Sequence, residues 1–200
     1  MAKNNSKKYD TNFAAGGILY HEFKSLQKIL LSDNFDELIK NEIEQNRVIG
    51  IATNAARKTI IAQIIRRYKC APNGFWTHFF DWNESEQKLG LFYLCLKTYP
   101  LILDIHFEVG LKKYKTGNKL DAYDIQMRMD EIASSDVTVA GWSDSTFKKL
   151  NTRYRKAIID VGLFNGKTLQ KPSGVSNIFW NYFENSNESW FLEACFINTY

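Results

Sequence analysis

Two hundred residues are enough for one large domain or two small ones, and either can bury a real apolar core. With 44% apolar and 24% charged residues and only three prolines, the composition excludes a disordered or fibrous chain. The net charge of +4 conceals a segregation, because residues 45–80 carry six Lys/Arg and no Asp/Glu, while residues 145–183 carry seven Lys/Arg against Asp160 alone. Each of these segments is +6 and the remainder is −8, a distribution that builds local positive potential and attracts polyanions.

Residues 1–12 read as a flexible, basic-polar lead-in without the apolar run of a signal peptide. A helical subdomain is expected over 13–120. Ile18, Leu19, Phe23, Leu26 and Leu30 recur at helical spacing after Gly16-Gly17. Ser32 or Asp33 can cap a second helix, with Phe35, Leu38, Ile39 and Ile43 inward and Asp36 and Glu37 at the positive end of its dipole. Thr53 or Asn54 can cap a third, basic helix over 53–69, whose core face is Ile60, Ile61, Ile64, Ile65 and Tyr68. Lys58, Arg66 and Lys69 point away from that face and, with Arg67, are candidates for phosphate contact. Arg57 falls near the apolar side, where it can snorkel or reach a phosphate. With residues 46–50 before it, this piece resembles a helix-turn-helix element; a core helix with a basic flank is the alternative.

Pro72-Asn73-Gly74 marks a turn, and Phe75, Trp76, Phe79, Phe80 and Trp82 follow it as an aromatic cluster. Such aromatics can stack on unpaired bases, but their helical spacing points to core. Two buried helices are expected over 84–99 and 101–114, broken at Pro100, and then a basic loop over 112–119. Lys97, Pro100, Asp104, His106 and Glu108 interrupt the apolar stretch 89–111, leaving runs far short of the roughly 20 residues a bilayer requires. No membrane span is expected.

Residues 121–172 read as a winged-helix-like unit. Ala122, Ile125, Met129 and Ile132 mark a helix capped by Asp121, and Val137-Thr138-Val139 suggests a short strand. Ser143 then caps a helix with Phe147, Leu150, Tyr154, Ala157, Ile158 and Val161 on one face. Lys148, Lys149, Arg153, Arg155 and Lys156 occupy the rest, with no carboxylate between Asp144 and Asp160. Gly162 suits the left-handed position past the helix end. Leu163-Phe164 and Lys167-Thr168-Leu169 read as strands of a β-hairpin wing joined by Asn165-Gly166, since a two-residue turn requires φ > 0 at both positions. Ser143, Ser145 and Thr146 near the helix N-terminus suit phosphate contacts, and Lys167 lies on the wing. Residues 173–200, rich in Phe, Trp and Tyr up to Tyr200, form an expected C-terminal aromatic clasp or, alternatively, a docking helix for a partner protein.

No phosphate-binding glycine loop, zinc-protease motif or nucleophile elbow occurs, and His21, His78 and His106 are isolated, so neither a catalytic site, a metal nor a cofactor is expected. Cys70, Cys95 and Cys195, distant and odd in number, fit reduced thiols in the cytoplasm.

The segments YDTNFAAGGILYHEF, NRVIGIATNAARKTIIAQIIRRY and WSDSTFKKLNTRYRKAIIDVGLF together resemble the BrxA family of bacterial BREX phage-defence systems, over about residues 9–164. That resemblance implies a small, helical, non-enzymatic protein similar to NusB-type antitermination folds and associated with DNA. It implies the BREX methyltransferase, phosphatase-like protein and ATPase as partners. The combined expectation is an all-α protein with a small β-hairpin wing that binds duplex DNA through phosphate-neutralising cations. An RNA-binding antitermination-like factor and a protein-only scaffold are the rivals.

Overall fold

The computed structural model describes residues 8–197, so positions 1–7 of the expected lead-in and Tyr200 of the expected clasp lie outside the described residues. A 3₁₀ turn (Asn12–Ala15) leads into α1 (Tyr20–Leu30), α2 (Phe35–Gln45) and α3 (Asn54–Cys70). Next come α4 (Phe75–Phe79), α5 (Glu84–Thr98), α6 (Pro100–Ile105), a π-helical turn (His106–Leu111) and α7 (Lys112–Lys115). The chain continues through α8 (Ala122–Ser135), α9 (Val137–Ala140) and α10 (Asp144–Asp160) to α11 (Asn177–Asn185) and α12 (Trp190–Ala194).

Helix α5 is the axis. Every residue from Leu89 to Leu96 is buried, and the helix packs against α1, α3, α4 and α6. Its start is a reciprocal cap: Asn83 Oδ1 accepts the Glu86 N–H at 3.1 Å, and Glu86 Oε2 accepts the Asn83 N–H at 2.9 Å. The other Glu86 oxygen accepts the N–H of Ser176, the residue that caps α11, at 2.8 Å. One buried carboxylate therefore fixes two helix starts. The aromatic residues after 173 close over the same axis, with Phe183 and Phe191 edge-on to Tyr93 and Phe179 edge-on to Trp82.

A buried polar node joins α10 to the C-terminal segment. His106 Nε2 lies 2.7 Å from the Ala194 carbonyl, and Nδ1 lies 3.0 Å from the Tyr154 hydroxyl. A carbonyl can only accept, so Nε2 carries the proton and Nδ1 accepts from Tyr154. A Cβ on Gly110, in the same π-helical turn, would stand 2.6 Å from the Tyr154 oxygen. Gly110→Ala should therefore push Tyr154 off His106 and cost roughly 2 kcal/mol or more, read by urea unfolding. A loss below about 0.5 kcal/mol, the range of ordinary surface changes, would show that the node opens without strain.

The expected β-hairpin wing is not present: among the described residues there is no strand, only a single antiparallel bridge between Phe164 and Leu169. Two physical causes are visible. The N–H groups of Leu163 and Phe164 both turn back to the Ile158 carbonyl, at 2.9 and 3.1 Å, closing the end of α10, and both side chains are buried. Gly166 takes φ +89° but Asn165 is not among the positive-φ residues, so the two-residue turn does not form. Instead Asn165 Oδ1 accepts the N–H groups of Lys167 and Thr168, both at 2.9 Å, in an Asx-type turn. The strand expected over 137–139 is also absent: those residues form α9, because Asp136 Oδ1 caps the N–H groups of Thr138 and Val139 at 2.9 and 3.1 Å. The cap position of α2 is Asn34, not Ser32 or Asp33.

Candidate nucleic-acid interface

Helix α10 starts where the sequence places it. The Ser143 hydroxyl accepts the Thr146 N–H at 3.3 Å and lies 2.9 Å from Ser145 Oγ and 3.0 Å from Thr146 Oγ1. Gly162, at φ +77°, ends the helix, with its N–H on the Ile159 carbonyl at 3.0 Å. Phe147, Leu150, Tyr154, Ala157 and Ile158 are buried, and Asn151 joins them, donating from Nδ2 to the Ala122 carbonyl at 2.7 Å. That bond seats α10 against the first turn of α8.

The opposite face is cationic. Lys148, Lys149 and Lys156 are exposed, and Arg153 and Arg155 are half-buried on its two flanks. Among the described residues the ion pair on this helix is Lys156 with Asp160, at 3.0 Å on the surface, and Lys148 and Lys149 have no such partner. Ser143 and Ser145 are exposed at the N-terminus, and Thr146 is half-buried. Lys167 is exposed on the Asx turn that follows the helix, so the α10 candidates and Lys167 belong to one continuous segment.

The basic helix α3 is arranged differently. Thr53 caps it, accepting the Ala56 N–H at 3.2 Å, as the sequence suggested. Lys58 and Lys69 are exposed, whereas the arginines are engaged within the protein, Arg57 and Arg67 buried and Arg66 half-buried. Arg67 is wholly buried, donating to the Tyr99 hydroxyl and the Ile18 carbonyl, each at 3.0 Å, and it stacks over the Tyr99 ring. Its place in the core removes it from the candidate set, since reaching a phosphate would unpack the centre of the molecule. Arg66 pairs with Asp10 at 2.7 Å and donates to the Thr98 carbonyl at 3.1 Å. Arg57 is buried and donates to the carbonyls of Ile43, Ile51 and Ala52 at 2.7, 2.7 and 3.1 Å, so it closes the 46–53 loop. Glu42 closes the same loop from the other side, accepting the N–H groups of Arg47, Val48 and Ile49.

A third cationic element, noted from sequence only as a basic loop, lies beside α8. Lys113, Lys115 and Lys119 line one wall of a cleft whose other wall is Thr168 and Leu169. Spacing on one helix reveals α10, whereas this cleft joins residues some fifty positions apart and leaves no local signal. Among the described residues no group of three His, Cys, Asp or Glu side chains is placed to hold a metal, and no helix is long and apolar enough to cross a membrane. The cysteines are unpaired, and burial raises the thiols of Cys95, to about 11, and Cys195.

A family model described as BrxA matches residues 7–173. A relative from Bacillus cereus (strain H3081.97), named BREX protein BrxA, is 23% identical over 156 residues, which cover 77% of this chain and 78% of the relative. The crystal structure of an uncharacterized protein from Magnetospirillum magneticum superposes with a TM-score of 0.72 at 15% identity, covering 94% of this chain and 98% of that one. The last likeness concerns the fold alone.

Proposed function

Since the chain belongs to the BrxA family of BREX antiviral defence, we propose that it is a non-catalytic accessory protein that holds duplex DNA through α10. The observation that carries this reading is the one-sidedness of α10. Three exposed lysines and two flanking arginines stand opposite a buried face, and the exposed Ser143 and Ser145 mark the helix end where N–H groups and the dipole favour phosphate. Helix α10 packs with its apolar face on α8, which leaves the cationic face outward and free to lie along a polyanion. Lysines and arginines in this arrangement grip the backbone and carry little base information, so binding is weak in sequence preference. The other BREX components are its protein partners on this reading, and the cytoplasm is where it meets them and the DNA.

Fluorescence anisotropy with a random duplex across a salt series tests the proposal. Neutralising about four to six phosphates should give log K against log salt a slope of roughly −4 to −5. A slope near zero, or no binding at low salt, removes the electrostatic mechanism. Competition by structured RNA at matched salt decides between DNA and RNA.

A further inference from the structure

The cleft between residues 113–119 and the turn at 165–169 has the makings of an anion seat. Its volume is about 530 Å³, inside the range of roughly 300–1,000 Å³ that holds small ligands. Lys113, Lys115, Lys119, Asn118 and Thr168 line it, and no carboxylate does. Asp124 holds Lys113 and Glu193 holds Lys115, each at 2.7 Å, so two lysines are fixed and partly neutralised by groups outside the lining. Lys119 is exposed and has no ion pair among the described residues, so the uncompensated charge of the cleft rests on it.

Both walls are held in advance. Gly117, at φ +66°, ends α7, with the Asn118 N–H returning to the Lys113 carbonyl at 3.0 Å. Across the cleft, Thr168 Oγ1 accepts from Asn165 Nδ2 at 2.9 Å, which leaves the hydroxyl proton to donate outward. The loop of one wall runs into Ala122, whose carbonyl takes the amide of Asn151 on the buried face of α10, and the other wall, Thr168 and Leu169, lies just past the end of α10. Arg155 shares that flank of α10 one turn later, and its Nε is buried without a hydrogen-bond partner among the described residues.

We propose that this cleft seats a backbone phosphate of the nucleic acid lying on α10, with Lys119 and the Thr168 hydroxyl as its ligands. The inference rests on the nucleic-acid reading and adds to it a contact contributed by a loop outside α10. Lys119→Ala, at an exposed position, should shallow the salt slope by about 0.9 and weaken duplex binding about eightfold at 0.1 M salt. Lys40→Ala, exposed on the acidic helix α2, should change neither. Inorganic phosphate alone, followed by amide shifts of Gly117, Asn118 and Thr168, should bind far more weakly than duplex DNA at equal ionic strength. An unchanged slope in Lys119→Ala, with a wild-type protein that binds DNA, overturns the cleft and leaves α10 standing. Inorganic phosphate binding as tightly as DNA makes this a free-anion site and also overturns it. A wild-type protein that binds no DNA overturns both readings.

Discussion

With Lys148, Lys149 and Lys156 all replaced by glutamate, duplex binding should fall about 100- to 500-fold at 0.1 M salt, and the salt slope should lose about 2.7. All three side chains are exposed on the outward face of α10, so the variant should keep its fold, verified by circular dichroism. The lost Lys156–Asp160 pair is exposed and contributes little to stability. The matching change on α3, Lys58→Glu with Lys69→Glu, should weaken binding far less. Only these two cations of α3 are exposed, because Arg57 and Arg67 are buried and Arg66 is engaged by Asp10. Equal losses from the two helices would mean one composite surface. A larger loss from α3 would place the centre of binding on the wrong helix.

Stability should fall by about 3 kcal/mol as the pH drops from 6.5 to 4, from His106 alone. Burial pushes this imidazole down to about 4, against the ordinary value of 6.5, because the charged form would sit in a dry site. Its neighbours offer no compensation: the Tyr154 hydroxyl and Ala194 carbonyl bond to it, and Phe92, Phe107 and Phe196 surround it. Between pH 6.5 and 4 the unfolded chain binds a proton at this residue and the native chain does not. Falling pH therefore favours unfolding; the term is absent above pH 6.5 and complete below pH 4. Several carboxylates, including Asp124 and Glu188, are held below their usual range and add a loss of the same sign, so the term is isolated by difference. Urea unfolding of the wild type and of His106→Gln, which cannot titrate, should diverge in pH dependence by about 3 kcal/mol across the window. Should the variant fail to fold, the His106 ring signal in the wild-type NMR spectrum reads the same quantity. A titration midpoint near 6.5 would contradict a neutral buried imidazole.

The sequence by itself determined the helical character of the chain and the limits of its two basic helices. Thr53 and Ser143 cap where spacing put them, and Gly162 ends α10, because a cap hydroxyl, an apolar stripe and a left-handed glycine act within one or two turns of backbone. The three segments that suggested BrxA lie within the matched residues for the same reason: helical faces are local patterns. The tertiary structure decided what each cation does. Arg66 and Arg67 are adjacent in sequence, yet one pairs with Asp10 and the other lies under Tyr99 and Ile18, partners 32 to 56 positions away. It also decided against the wing, since burial of Leu163 and Phe164 draws their N–H groups to the end of α10 and leaves too few residues for a ladder. The cleft at Lys119 and the His106 node belong to the same class. Their parts come from separate helices and turns, and a buried charge or a converging pair of walls is defined by distance in space, which no local periodicity encodes.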